Sequence, residues 1–360
     1  MVPVTPDPIA WDVAERVAIR VAALDPFSVS YHAHSLVHDF TELTAEAESL
    51  VAAATGLVSD SGPARVRVVD REGWIRANVA SFHRLLSPIS GRMAERMSKG
   101  LFAGRVTRVV AGAELGALLG WMSGKVLGQY DLLVVDDDTA IDQDIVYYVG
   151  PNVLALEKRF AFPPREFRLW LALHEVTHRA QFTGVPWLRP HFLSLVEAGL
   201  GPMNADPAQL TAALQHLGRS LRRGTNPLQD GGLAVLLATP EQRAVIEEIG
   251  GMMSLLEGHG DVTMDRAGAD RIPSADRFSR VLRQRRASVS GIARFGRQII
   301  GLEAKMAQYA LGERFVHAVE KAGGTELLDH VWRGPQFLPS MNEIREPATW
   351  IARIQSAQAV

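Results

Sequence analysis

The sequence predicts a mainly α-helical protein with a small β-sheet, and three observations carry that prediction. Apolar residues recur at helical spacing through most of the 360 positions. Only a few short runs, Val66 to Val69, Leu132 to Val135 and Ile145 to Val149, have strand character. One segment, Arg165 to about Phe182, is apolar almost all round yet holds two histidines and a glutamate within five residues.

Bulk composition narrows the field. Hydrophobic residues make up 47% and charged residues 22%, the balance of a globular chain long enough for one large domain or two smaller ones. A net charge of −2 gives no bulk attraction to nucleic acid or to an anionic membrane, so neither is an expected partner. The chain has no cysteine, which excludes disulfides, thiolate metal sites and cysteine nucleophiles and leaves histidine and carboxylate as ligands for zinc. Met1 to Asp12 lacks a basic stretch followed by an apolar one, so no signal peptide is read and the cytoplasm is the expected compartment.

The elements follow in order. Trp11 to Ala23 reads as a helix closed by Asp25-Pro26, and Thr41 to Thr55 and Ile75 to Leu86 as two more. Gly100, Gly104, Gly112, Gly116, Gly120, Gly124 and Gly128 fall at multiples of four, a single stripe on a helix. The uncharged run inside it, Leu115 to Gly124, is far short of the ~20 residues a membrane span needs, so the stripe predicts a tight contact between soluble helices. The runs at 132–135 and 145–149 flank an acidic loop, Asp136 to Asp144, without the central glycine and terminal glutamate of a calcium loop. The run 145–149 is the candidate edge strand above the histidine-bearing helix, where an extended substrate could add to the sheet. Asn152 to Arg159 is helical, Pro163-Pro164 ends the connection, and Gly184 and Pro186 stop the following helix. His191 to Leu200, Asp206 to Arg223 and Thr239 to about Asp265 are further helices, the last opening on the capping box Thr239-Pro240-Glu241-Gln242. Beyond Arg271 the chain is again helical, with a proline-punctuated tail from Pro335. These elements form a single domain over 1–360 or two lobes within it. The first, about 1–185, holds the strands and the histidine helix; the second, about 186–360, is helical and supplies a further ligand.

The chemistry lies in His174-Glu175-Val176-Thr177-His178. On a helix, i and i+4 differ by ~40° in azimuth and ~6 Å in rise, so both imidazoles can meet one ion. Glu175 stands at the rim of that face, placed to take a proton from water without binding the metal. Leu169, Trp170, Leu171, Ala172, Leu173 and Val176 bury the helix, and polar groups buried without partners cost about 1–3 kcal/mol each. A zinc ion satisfies the trio.

A catalytic zinc takes three protein ligands and a water. A third histidine in the extended motif would need glycine at 181 and histidine at 184, where the chain has Gln181 and Gly184. A later glutamate remains. Glu257, in Glu257-Gly258-His259-Gly260-Asp261, is favoured over Glu197. It emerges from an apolar helical stretch, and Asp261, one turn on, can hold a ligand histidine by its second ring nitrogen. The glycines beside Glu257 imply that a close neighbour excludes bulk there. His259, Tyr309 and His317 are candidates to stabilise an oxyanion.

The reading is a zinc metallohydrolase acting on a peptide or small amide, with Glu175 as general base. The alternative is a non-catalytic, zinc-stabilised binding or scaffold protein linked to a cofactor pathway. Nucleic-acid binding through Arg271, Arg277, Arg280, Arg283, Arg285, Arg286, Arg294 and Arg297 is disfavoured by the lack of interleaved aromatics.

Trp170 to His178 and Glu257 to Asp261 resemble the signatures of an actinobacterial zincin-like family, whose members carry provisional hydrolase assignments or an association with biosynthesis of a deazaflavin coenzyme. Gly128-Gln129-Tyr130-Asp131, Pro151-Asn152, Lys305 to Tyr309 with Gly312 and Phe315, and Pro347 to Trp350 fit the same pattern. The resemblance implies a zincin-like metallopeptidase fold over most of the chain, built around the H-E-x-x-H helix.

Overall fold

The computed structural model describes residue 7 and residues 9–22, 32–97, 101–132, 144–199, 240–287 and 302–358. The predicted helix at 206–223, most of the acidic loop and Thr239 of the capping box lie outside these residues. The chain divides into two compact units, Met1–Gly184 with Arg266–Phe278 and Val185–Asp265 with Ser279–Val360.

The first unit holds α1 (Trp11–Val21), α2 (His32–Thr55), β1 (Arg65–Val69), α3 (Arg71–Met97), α4 (Leu101–Ser123), β2 (Gly128–Tyr130), β3 (Ile145–Val149), α5 (Gly150–Phe160) and α6 (Pro164–Gly184). Helix α2 starts nine residues before the predicted Thr41, because Leu36 and Phe40 continue the buried stripe of Leu43, Ala47 and Val51. Asp70 caps α3, its Oδ1 accepting a hydrogen bond from the Gly73 amide at 2.7 Å.

The sheet is three-stranded in the order β1-β3-β2, with β1 parallel and β2 antiparallel to β3. This corrects the predicted edge role of 145–149. Ile-Val-Tyr-Tyr-Val is buried at every position and paired on both sides, the pattern of a central strand. The edges are β1 and β2; β2 begins four residues ahead of the predicted run at 132–135, of which 133–135 lie outside the described residues. Gly128-Gln129-Tyr130 carries little strand propensity, and tertiary pairing holds it extended.

Three glycines of the stripe do what the spacing predicts. A Cβ on Gly112, Gly116 or Gly120 would meet the carbonyl oxygens of Ala10, Ala14 and Ala18 at 2.4, 2.3 and 2.5 Å, so α4 and α1 touch backbone to backbone. Gly124 has nothing closer than 3.8 Å, and Gly128 belongs to the sheet. Ala18, Trp74, Ile75, Val79, Leu119 and Val149 form a core that joins α1, α3, α4 and β3. Helix α2 packs along α6. Among the described residues no helix is long and apolar enough to cross a membrane.

Buried ion pairs tie α6 to this unit. Arg168 grips Glu157 with two bonds of 2.8 Å and also meets Asp39. Arg277 donates to the carbonyl of Phe160 at 2.5 Å and covers the Phe162 ring, while Arg271 pairs with Glu46, so two of the arginines weighed as a nucleic-acid surface have intramolecular partners.

The second unit contains α7 (Leu188–Gly199), most of α8 (Pro240–Gly268) and α9 (Ala275–Ala287), then α10 (Leu302–Leu328), 3₁₀ turns at Asp329–Trp332 and Pro335–Phe337, α11 (Met341–Arg345) and α12 (Pro347–Gln358). Gly324, at φ 71, bends the end of α10. Helices α8 and α10 meet at two glycines: a Cβ on Gly258 would lie 2.1 Å from the Gly312 carbonyl carbon, and one on Gly312 only 1.8 Å from the Ser254 oxygen. The close neighbour expected beside Glu257 is therefore the α10 backbone. Ser340 and Glu343 form a capping box on α11, and Arg353 of α12 binds Glu343 at 2.7 Å.

Candidate metal centre

Helix α6 opens on Pro164 with Glu166 in its first turn, an arrangement suited to a helix N-terminus. Its exit is fixed by Gly184, where a Cβ would press on the Val58 carbonyl at 2.8 Å. From Phe167 to Phe182 the side chains are buried except those of His174 and His178, which are half-buried. Their rings lie 4.7 Å apart at 86°. The helical register thus leaves the two imidazoles as the accessible groups of an otherwise enclosed rod.

His178 Nδ1 lies 3.0 Å from Gln181 Oε1, and Gln181 is fully buried. An amide oxygen can only accept, so Nδ1 is the donor in this pair. Sequence reasoning named Asp261 as a residue to orient a histidine and did not name Gln181, which meets His178. The available signal for Gln181 was its place three residues after His178, on the same helical face. Asp261 is half-buried on α8, one turn beyond Glu257.

Glu175 is 7% exposed. Its Oε2 accepts the backbone amide of Tyr130 at 3.0 Å. A Cβ on Gly128 would lie 2.6 Å from Glu175 Oε1 and 2.7 Å from its Cγ, so the carboxylate occupies the space a side chain at 128 would fill. Next to His178, Arg179 is 2% exposed and binds Asp144, Glu48 and the Gly62 carbonyl, with bonds to each as short as 2.5, 2.6 and 2.6 Å. Asp144 makes that pair from a left-handed backbone, φ 56. This clamp, which motif reading did not anticipate, holds the face of α6 away from the histidines.

Glu257 is half-buried on α8. Among the described residues, His174, His178 and Glu257 are of the types that could together hold a metal ion. Two imidazoles and a carboxylate are a donor set that suits zinc and leaves a fourth position for water or substrate. The residues present therefore fit the ion. Glu197 is exposed on α7 and is not part of this group. Of the oxyanion candidates, His259 is buried edge-on against Trp332 at 5.0 Å, and His317 is exposed beside Glu313. The Tyr309 side chain lies outside the described residues.

The chain is similar to known proteins in sequence and in fold. A solved structure from Chloroflexus aurantiacus, provisionally described as a hydrolase with a novel fold, is 31% identical. It matches 96% of this chain and 99% of its own with a TM-score of 0.70. No curated protein matches. The family model for zincin-like metallopeptidases matches residues 9–351, and on that extent the chain belongs to the zincin-like metallopeptidase family.

Proposed function

We propose that this protein is a zinc-dependent hydrolase of peptide or small amide bonds. The observation that supports the reading is the histidine pair of one helix, His174 and His178, beside a buried glutamate that is held by a backbone amide. A bound zinc ion supplies a Lewis acid that polarises the scissile carbonyl and acidifies the attacking water. His174, His178 and Glu257 would hold it. Gln181 keeps the His178 ring in the tautomer that offers Nε2. Glu175 takes the proton from the attacking water and delivers it to the leaving amine. The Tyr130 amide, donating to Oε2 at 3.0 Å, holds the carboxylate in place for that transfer.

The test is hydrolysis of a peptide and acyl-amide panel by zinc-loaded protein, run beside the Glu175→Gln variant. The variant is expected to keep its zinc and to lose about 10²–10⁴-fold in turnover, the range for a lost general base. Equal turnover by both proteins would overturn the assignment of Glu175, and a chain that takes up no zinc would overturn the metal site.

A further inference from the structure

The segment Gly128-Gln129-Tyr130-Asp131 comprises strand β2 and the residue after it. Its side chains alternate between two helices, as a strand requires. Gly128 and Tyr130 face α6: the first lies against the Glu175 carboxylate, and the ring of the second stacks 6.4 Å from Phe182. Gln129 and Asp131 face α3. Gln129 Oε1 accepts from Trp74 Nε1 at 2.8 Å, and its Nε2 donates to Asn78 Oδ1 at 3.0 Å. Asn78 in turn donates to the Trp74 carbonyl at 2.9 Å. Ser81 Oγ donates to Asp131 Oδ2 at 3.1 Å.

Trp74, Asn78 and Ser81 stand at i, i+4 and i+7, so one stripe of α3 holds both anchors. Asn78, Ser81 and Asp131 are at most 5% exposed, and buried polar groups of this kind are costly to leave unpaired. A slip of β2 by one residue would break these bonds together. It would also bring a side chain to the position where only glycine admits the Glu175 carboxylate.

We propose that Gly128–Asp131 is the positioning element of Glu175. Gly128 supplies the space, the Tyr130 amide supplies the bond, and Gln129 and Asp131 fix the register against α3. The proposal rests on the reading of Glu175 as general base. Gln129 is on this account a positioning residue, since it acts on Glu175 only through the strand.

Selective [15N]tyrosine labelling gives five amide signals from the five tyrosines, and the one lost in Tyr130→Phe identifies position 130. In the full-length protein that amide is expected downfield and protected from hydrogen exchange. In Glu175→Ala it should move upfield and exchange roughly ten- to a hundredfold faster, the loss of one hydrogen bond to a charged acceptor. In Gln129→Met, which keeps the side-chain length without its bonds, the same amide should exchange about tenfold faster. Tyr147 and Tyr148 in β3 should stay protected, and zinc affinity by chelator competition should stay within about threefold.

A Tyr130 signal unchanged in Glu175→Ala would overturn the proposal, and so would one unchanged in Gln129→Met. Exposure of the β3 amides in Gln129→Met would also overturn it, because the effect would then be general unfolding. None of these readouts depends on turnover. An inactive protein with the expected Tyr130 behaviour refutes the hydrolase reading alone, and an active one without it refutes the positioning element alone.

Discussion

Tyr130 and Glu175, forty-five positions apart, are joined by a 3.0 Å bond from a backbone amide to a carboxylate oxygen. The donor belongs to an edge strand and the acceptor to the helix that bears the histidine pair. Because the donor is backbone, no side-chain substitution at 130 can remove it except proline. The orientation of Glu175 is therefore set by where the strand lies.

The choice between two glutamates can be checked by metal binding. Glu257→Ala is expected to weaken zinc binding by more than the roughly 10–100-fold typical of outer partners, while Glu197→Ala, on the exposed face of α7, leaves it unchanged. Competition with a zinc chelator measures both. Equal effects would remove Glu257 from the site.

Gln181 is expected to matter for the metal more than its neutral side chain suggests. Gln181→Met keeps most of the volume but strands the His178 Nδ1 proton in a buried position. Zinc affinity should fall about 10–100-fold, as for other outer partners of ligand histidines, and Gln181→Glu should recover most of it.

Glycine substitutions should divide by backbone contact. Gly116→Ala and Gly312→Ala push a methyl into carbonyl oxygens and are expected to destabilise by at least about 1–3 kcal/mol, read as a lower urea midpoint at constant slope. Gly124→Ala meets nothing closer than 3.8 Å and is expected to be neutral, or to stabilise by up to about 1 kcal/mol.

The α11–α12 corner should weaken in acid. Burial alone would raise the Glu343 pKa, but the hydrogen bonds from Arg353 and Ser340 outweigh it and hold the carboxyl below its usual 4.5. A lowered folded-state pKa means stability that is fully present above 4.5 and is lost as pH falls through the lower folded value. Glu343→Gln should flatten that part of the acid limb of stability, followed by circular dichroism in urea at stepped pH.

The histidine helix was legible in the sequence because its information is local: helical periodicity, an apolar surround and a four-residue spacing place both imidazoles on one face. The α1–α4 contact was legible in the same way, since glycines every fourth residue mark one line on a helix. The edge strand β2 was not. Three residues, one of them glycine, make too weak a local signal, and the fully apolar run at 145–149 drew the assignment to itself although continuous hydrophobicity marks a strand covered on both sides.

By itself, then, the chain's order of residues determined a mostly helical zincin-like protein, with His174 and His178 on one face of a helix and a glutamate between them. Only tertiary structure decided that β3 is central, that Gln181 orients His178, and that Glu175 is held by Tyr130 in the space left by Gly128. The physical reason is the range of the forces involved. Periodicity and spacing act within a few turns of one helix, whereas a backbone amide can be donated to a carboxylate from anywhere in the chain, and no residue type announces it.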